Sequence, residues 1–159
     1  MGERLHPTPY AEVNAVLHDF LASIQAVPGY ERGNKQMNMA LWAVQGLLAL
    51  VFLLVGGMKA FLPLATVKKT MRSLHDVPAA LVRCIGVSEL LGAIGLIVPT
   101  FTGIQPWLTV AAAVGLVVVM TSAAVFHASR REYPNIGTNV VLVLLAAFVV
   151  LGRWKLAPL

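Results

Sequence analysis

The sequence predicts an all-α integral membrane protein, a four-helix bundle preceded by one amphipathic helix. Three observations carry that prediction. Of the 159 residues, 58% are hydrophobic and 12% are charged, whereas ordinary globular domains carry about 25% charged residues. The mean hydropathy is +0.78, and such a chain has too little polar surface to cover a water-facing exterior. Four apolar stretches each approach the roughly 20 residues that a helix needs to cross the hydrocarbon core. Backbone in lipid must satisfy its own hydrogen bonds, and long unbroken apolar runs do so as helices. The short alternating segments of a β-barrel do not occur in the sequence.

The chain reads as two parts, a tail over residues 1–36 and a four-span domain over 37–159. The tail holds Glu3, Glu12, Asp19 and Glu31, four of the seven acids; the others are Asp76, Glu89 and Glu132. Val13, Val16, Leu17, Phe20, Leu21, Ile24 and Val27 recur at helical spacing and form one apolar stripe. Thr8-Pro9 is a start signal and Pro28-Gly29 a stop. A polar linker, Tyr30 to Gln36, is expected to follow.

The first span is expected over about 40–58 and ends at Gly56-Gly57-Met58-Lys59. A basic connection with Lys68, Lys69 and Arg72 leads to Pro78, a helix-start residue. The second span, about 79–98, contains Arg83 and Glu89. Pro99-Thr100-Phe101-Thr102-Gly103 is expected to form a short uncharged turn. The third span is expected over about 107–126, closed by His127, and a loop with Arg130, Arg131 and Pro134 leads on. The fourth span, about 136–152, is closed by Arg153-Trp154-Lys155. The start lacks the basic, apolar and small-residue order of a cleavable signal.

The net charge is +5, but nucleic acid is not the expected partner. The basic residues flank apolar segments, where they orient helices and meet the bilayer. Four spans put both termini on one side. Lys59, Lys68, Lys69, Arg72, Arg83, Arg130 and Arg131 lie toward one face, and Arg4, Arg32, Lys35, Arg153 and Lys155 toward the other. The positive-inside rule places both termini outside the cytoplasm. Trp42, Trp107 and Trp154 are expected in an aromatic belt at that second face.

Glu89 is the most informative residue. Counted from Pro78 at about 1.5 Å per residue, it lies about 16 Å into the membrane, near the midplane. An ionisable group there turns to the bundle interior, and it handles a proton, anchors a ligand or locks two helices. Gly86, Gly92 and Ala93 beside it admit a close neighbour. Lys59, His127 and Asn139 end or begin their spans toward the same face, so a polar intramembrane cluster of Lys59, Glu89, His127 and Asn139 is expected. Lys59 is its counter-charge, His127 its group titrating near neutral pH, and Asn139 an orienting amide. Each also has a plain role: a helix-end cation for Lys59 and His127, a first-turn cap for Asn139. Arg83 lies about 120° from Glu89 around the helix and reads as a snorkelling interface residue. Gln45, Ser88, Thr121 and Ser122 read as interhelical hydrogen-bonders. No metal site is expected, and the single Cys84 excludes an internal disulfide or a CxxC pair.

The stretches Gly56-Gly57-Met58-Lys59, Gly86-Val87-Ser88-Glu89-Leu90-Leu91-Gly92 and Val125-Phe126-His127, with the closing Ala146 to Trp154, resemble the DoxX-like family of small bacterial membrane proteins. The likeness covers about residues 39–154. It implies a four-helix bundle of the bacterial inner membrane. Some members are similar to a subunit of thiosulfate:quinone oxidoreductase, and others are linked to thiol and oxidative stress. The matching positions are Lys59, Glu89 and His127, with no established catalytic role attached. The implied cofactor is a quinone, and the implied partners are a soluble oxidoreductase and further copies of the chain.

His6-Pro7-Thr8-Pro9-Tyr10 through Ile24-Gln25-Ala26-Val27 resembles the opening helix of aminoglycoside-type nucleotidyltransferase domains, over residues 1–27. The Gly-Ser and paired-Asp metal motif of those enzymes does not follow, so nucleotidyl transfer is not expected. A fusion remnant or an over-extended start is the expectation, with Met37 or Met39 as the older beginning.

Two functional classes stay open: a component of a membrane redox or thiol-stress system, non-catalytic or quinone-associated, and a structural scaffold with no chemistry of its own. A small transporter or proton pathway is a third, weakened by the lack of an inverted repeat or broken span. No self-contained catalytic motif is visible.

Overall fold

A computed structural model describes residues 9–25 and 30–156. Contacts divide the chain into two compact units, residues 1–36 and 37–159. Thr8, the Pro28-Gly29 stop, Val27, and the His6-Pro7 and Ala26-Val27 parts of the tail resemblance lie outside the described residues.

In the first unit α1 spans Pro9–Gln25, and Val13, Val16, Leu17, Phe20 and Leu21 are exposed along it. The helix α2 spans Tyr30–Phe61, so the expected polar linker is helical. Between Tyr30 and Ala40 only Gly33, Asn34 and Asn38 disfavour a helix, proline is absent, and the ladder of the following apolar run extends back through the stretch.

The remaining elements are α3 (Leu64–Thr70), a 3₁₀ turn (Arg72–Leu74), α4 (Ala79–Thr102), α5 (Trp107–Ser129) and α6 (Tyr133–Leu151). The last helix widens into a π-type turn over Gly152–Leu156. Four helical stretches are long and apolar enough to cross a membrane: Gly33–Phe61, Ala79–Thr102, Trp107–Ser129 and Tyr133–Lys155. All four outrun the expected spans at one end or both, because residues outside the apolar runs stay helical. The expected turn at Pro99 is part of α4, which ends only where Gly103 takes a left-handed conformation (φ 69°) and its N–H bonds the Pro99 carbonyl. Proline removes the donor for the carbonyl four residues back but permits the helix to go on; glycine is what stops it.

Leu48, Phe52, Ala93, Leu96, Ala113, Leu116, Met120, Ala146 and Val149 form the bundle core. The outside is as apolar as the inside: Leu54, Leu91, Val118 and Leu144 are each about 60% exposed. Burying such side chains is worth about 2 kcal/mol each in water, so only a hydrocarbon surrounding suits this surface. The chain is a multi-pass membrane protein.

Small residues set the helix spacing. Gly56 of α2 and Gly86 of α4 cross almost backbone to backbone. A Cβ on Gly86 would stand 2.7 Å from Ala60 N and from Lys59 Cβ, and 2.9 Å from Gly56 O. Gly92 and Gly95 of α4 seat Leu116 and Ala112 of α5. Gly152 receives Leu41 of α2.

Candidate functional site

The glycine crossing brings Lys59 and Glu89 together. Lys59 Nζ donates to Glu89 Oε1 at 2.6 Å. Glu89 is 1% exposed, and the Lys59 side chain is 12% exposed. Glu89 is the eleventh residue of the 24-residue α4, near its middle, and it faces inward on the stripe of Val82, Gly86, Ala93 and Leu96. Its second oxygen, Oε2, is buried and has no hydrogen-bond partner among the described residues. An ionised carboxylate accepts on both oxygens, so half of the group's bonding capacity is left open among them.

Arg83 takes hold of the same lysine from its backbone. Arg83 Nη1 donates to Lys59 O at 2.6 Å and Nη2 to Leu62 O at 2.7 Å. In a continued helix the Lys59 carbonyl would accept from residue 63, but that residue is Pro63 and has no N–H. The guanidinium supplies the missing donors. Arg83 therefore caps the end of α2 from the second turn of α4.

His127 and Asn139 bond elsewhere. His127 Nδ1 donates to Glu132 Oε2 at 2.6 Å; the carboxylate can only accept, which fixes the proton on that ring nitrogen. Glu132 also takes Asn135 Nδ2 at 3.2 Å and lies 3.3 Å from Arg130 Nε. The His127 contact first, then Asn135 and the Arg130 charge, hold the Glu132 carboxyl below its ordinary range. Arg130 Nη2 reaches Asp76 Oδ2 at 3.0 Å. That carboxyl is likewise held low, by His75 first and Arg130 second. Asn139 is buried, and its Nδ2 donates to Asn135 O one turn back in α6 at 2.9 Å. Of the four expected cluster members, the structure places two in contact with each other and two on partners of their own.

A second polar group lies toward the opposite end of the bundle. Arg153 is 3% exposed. Its Nε donates to Gln45 Oε1 at 2.8 Å, its Nη1 to Asn38 Oδ1 at 2.6 Å, and its guanidinium lies 5.5 Å from the Trp42 ring centroid. Gln45 is also buried and passes the link on, Nε2 donating to Leu96 O of α4 at 2.5 Å. Arg153 Nη2 is buried without a partner among the described residues. Gln45 is thus the interhelical bond expected of it, whereas Ser88 and Ser122 bond carbonyls of their own helices. Trp42 is half-buried under Arg153 instead of standing in a belt, while Trp107 and Trp154 are exposed.

The sequence reading missed Arg153 because a basic residue after an apolar run reads as an interface anchor. Asn38, Trp42 and Gln45 did carry a signal. Their spacings of four and three put them on one face of α2, and a polar face on a spanning helix needs a partner.

No curated protein and no solved structure matches the chain. A family model does, described as the DoxX-like family, and it covers residues 43–149. That stretch contains the glycine crossing, the Lys59–Glu89 pair, the Arg83 cap and the His127–Glu132 contact, so the helices that build the polar centre are the ones the match covers, and the chain belongs to the DoxX-like family.

Proposed function

We propose that this protein is a component of a membrane redox or thiol-stress system, with no catalytic motif of its own, and that it binds a quinone headgroup beside Glu89. One observation carries the reading: a buried carboxylate near the middle of its spanning helix, with one oxygen on Lys59 and the other unpartnered among the described residues. A buried acceptor left open is costly, about 1–3 kcal/mol, and persists where a ligand completes it. Glu89 Oε2 would accept from a ligand hydroxyl, and Lys59 Nζ has further N–H groups to donate to a ligand carbonyl. A quinone, when bound, supplies two-electron and two-proton carriage within the bilayer. The apolar exterior gives a lipid-soluble ligand a route between helices.

The single Cys84 leaves dithiol chemistry to a soluble oxidoreductase partner. The reading includes placement in the bacterial inner membrane with both termini outside the cytoplasm; seven cations toward one face against five toward the other support that orientation. Assembly with further copies of the chain belongs to the same proposal.

The glycine crossing favours a second reading. The pair sits beside the tight approach of α2 and α4 at Gly56 and Gly86, as a lock between helices in a scaffold protein would. Glu89→Gln separates the two. In nanodiscs, quenching of tryptophan fluorescence by a short-chain quinone should saturate for the unaltered chain. Loss of one charge-assisted bond should weaken binding about tenfold or more in the variant. Equal titrations with a folded variant would leave only the scaffold.

A further inference from the structure

Lys68, Lys69, Arg72 and His75 line an open cavity of about 440 Å³. The residues belong to the connection between the span ending at Phe61 and the span beginning at Ala79, which places the cavity at the level of lipid headgroups. The platform beneath it is fixed. Val67, Leu74, Val77 and Val82 are buried together, with Leu64, Met71 and Phe126 packed on them. This cluster turns the apolar side of α3 to the protein, with Lys68 half-buried at its margin and Lys69 exposed on the far side. Lys68 Nζ donates to His75 O at 2.8 Å, closing the segment on itself. Lys69 and Arg72 are exposed, and among the described residues neither donates to a protein acceptor. Asp76 is the one acid between Leu62 and Pro78. It does not line the cavity, and its carboxylate is already engaged by His75 and by Arg130.

We propose that this cavity binds the phosphate headgroup of an anionic phospholipid. Three cations on a rigid support, with no acid among the lining residues, attract a phosphodiester, and the guanidinium of Arg72 suits two phosphate oxygens at once. A zwitterionic headgroup would bring its own cation among the lysines and lose most of that attraction. Position decides between lipid and soluble phosphate. Phe61, 80% exposed on the last turn of its span, comes only seven residues before Lys68 in the chain, so the basic connection starts at the edge of the hydrocarbon.

The test is native mass spectrometry of the full chain in detergent, titrated with phosphatidylglycerol or with phosphatidylcholine. The unaltered chain should retain phosphatidylglycerol at least about tenfold better, and added salt should remove the preference. The Lys68→Gln/Lys69→Gln/Arg72→Gln variant should lose it. The charge-keeping Lys68→Arg/Lys69→Arg/Arg72→Lys variant should keep it, as should Lys35→Gln/Lys155→Gln. Three results would overturn the proposal: no preference in the unaltered chain, an unchanged preference without the three cations, or displacement of the lipid by glycerol phosphate at equal concentration, which would mark a site for soluble phosphate compounds. The salt titration of the unaltered chain decides the matter even where the neutralised variant does not fold.

Discussion

Arg83 of α4 binds the backbone carbonyl of Lys59 at 2.6 Å, and Glu89 of the same helix binds the Lys59 ammonium at the same distance. One helix thus grips one residue of its neighbour at both ends. The backbone contact exists because Pro63 leaves that carbonyl without a donor, and the side-chain contact exists because Gly56 and Gly86 let the helices meet.

Replacing Arg83 by Gln should strand two carbonyls and loosen Lys59, at a cost of about 1–3 kcal/mol. Arg83→Lys should recover only part of it, since an ammonium lacks the planar fork that spans both acceptors. Thermal melts in detergent check this, with the Lys variant lying between the Gln variant and the unaltered chain.

Gly86→Ala should destabilise the fold by about 1–3 kcal/mol, the usual cost of overpacking, because the new methyl meets backbone atoms that cannot yield. Gly115→Ala is the control. A Cβ there finds nothing within 4 Å, and alanine is the better helix former. The pair of melts should move in opposite directions or the control should not move.

Arg153→Met should leave Gln45 Oε1 without its donor and free the Trp42 ring. A stability loss of about 1–3 kcal/mol is expected. Emission from Trp42, isolated by Trp107→Phe and Trp154→Phe, should shift as the guanidinium leaves its face. An unchanged spectrum would mean that Arg153 does not lie on Trp42 in solution.

The acid side of the stability profile belongs to Glu132 and Asp76. Both carboxyls are held low in the folded protein, so their stabilisation is complete above the ordinary carboxyl range. It fades as pH falls below about 4 and through the lowered values. Melting temperatures taken downward from neutral pH should therefore drop in that acid window. The Glu132→Gln/Asp76→Asn variant should start lower and fall less.

The spans were legible because lipid demands long apolar runs, and Glu89 was legible because an acid in such a run has few places to go. Its partner followed from topology, which puts the end of the first span beside the second. Tertiary detail decided the rest. His127 reaches Glu132 only because the loop folds back over five residues, with Arg131 in a left-handed conformation (φ 58°). Arg153 turns inward only because Asn38 and Gln45 wait on a helix more than a hundred residues away in sequence. Pro99 reads as a breaker in a linear scan, yet its ring fits within α4.

Infrared difference spectroscopy in the carboxyl region tests the central claim most directly. Spectra are recorded on nanodisc-embedded protein as an added quinone is reduced and reoxidised. Glu89 should give a carboxyl band that follows the quinone and vanishes in Glu89→Gln. Identical spectra from the two proteins would mean that the buried acid takes no part in ligand chemistry and serves only to pin α2 to α4.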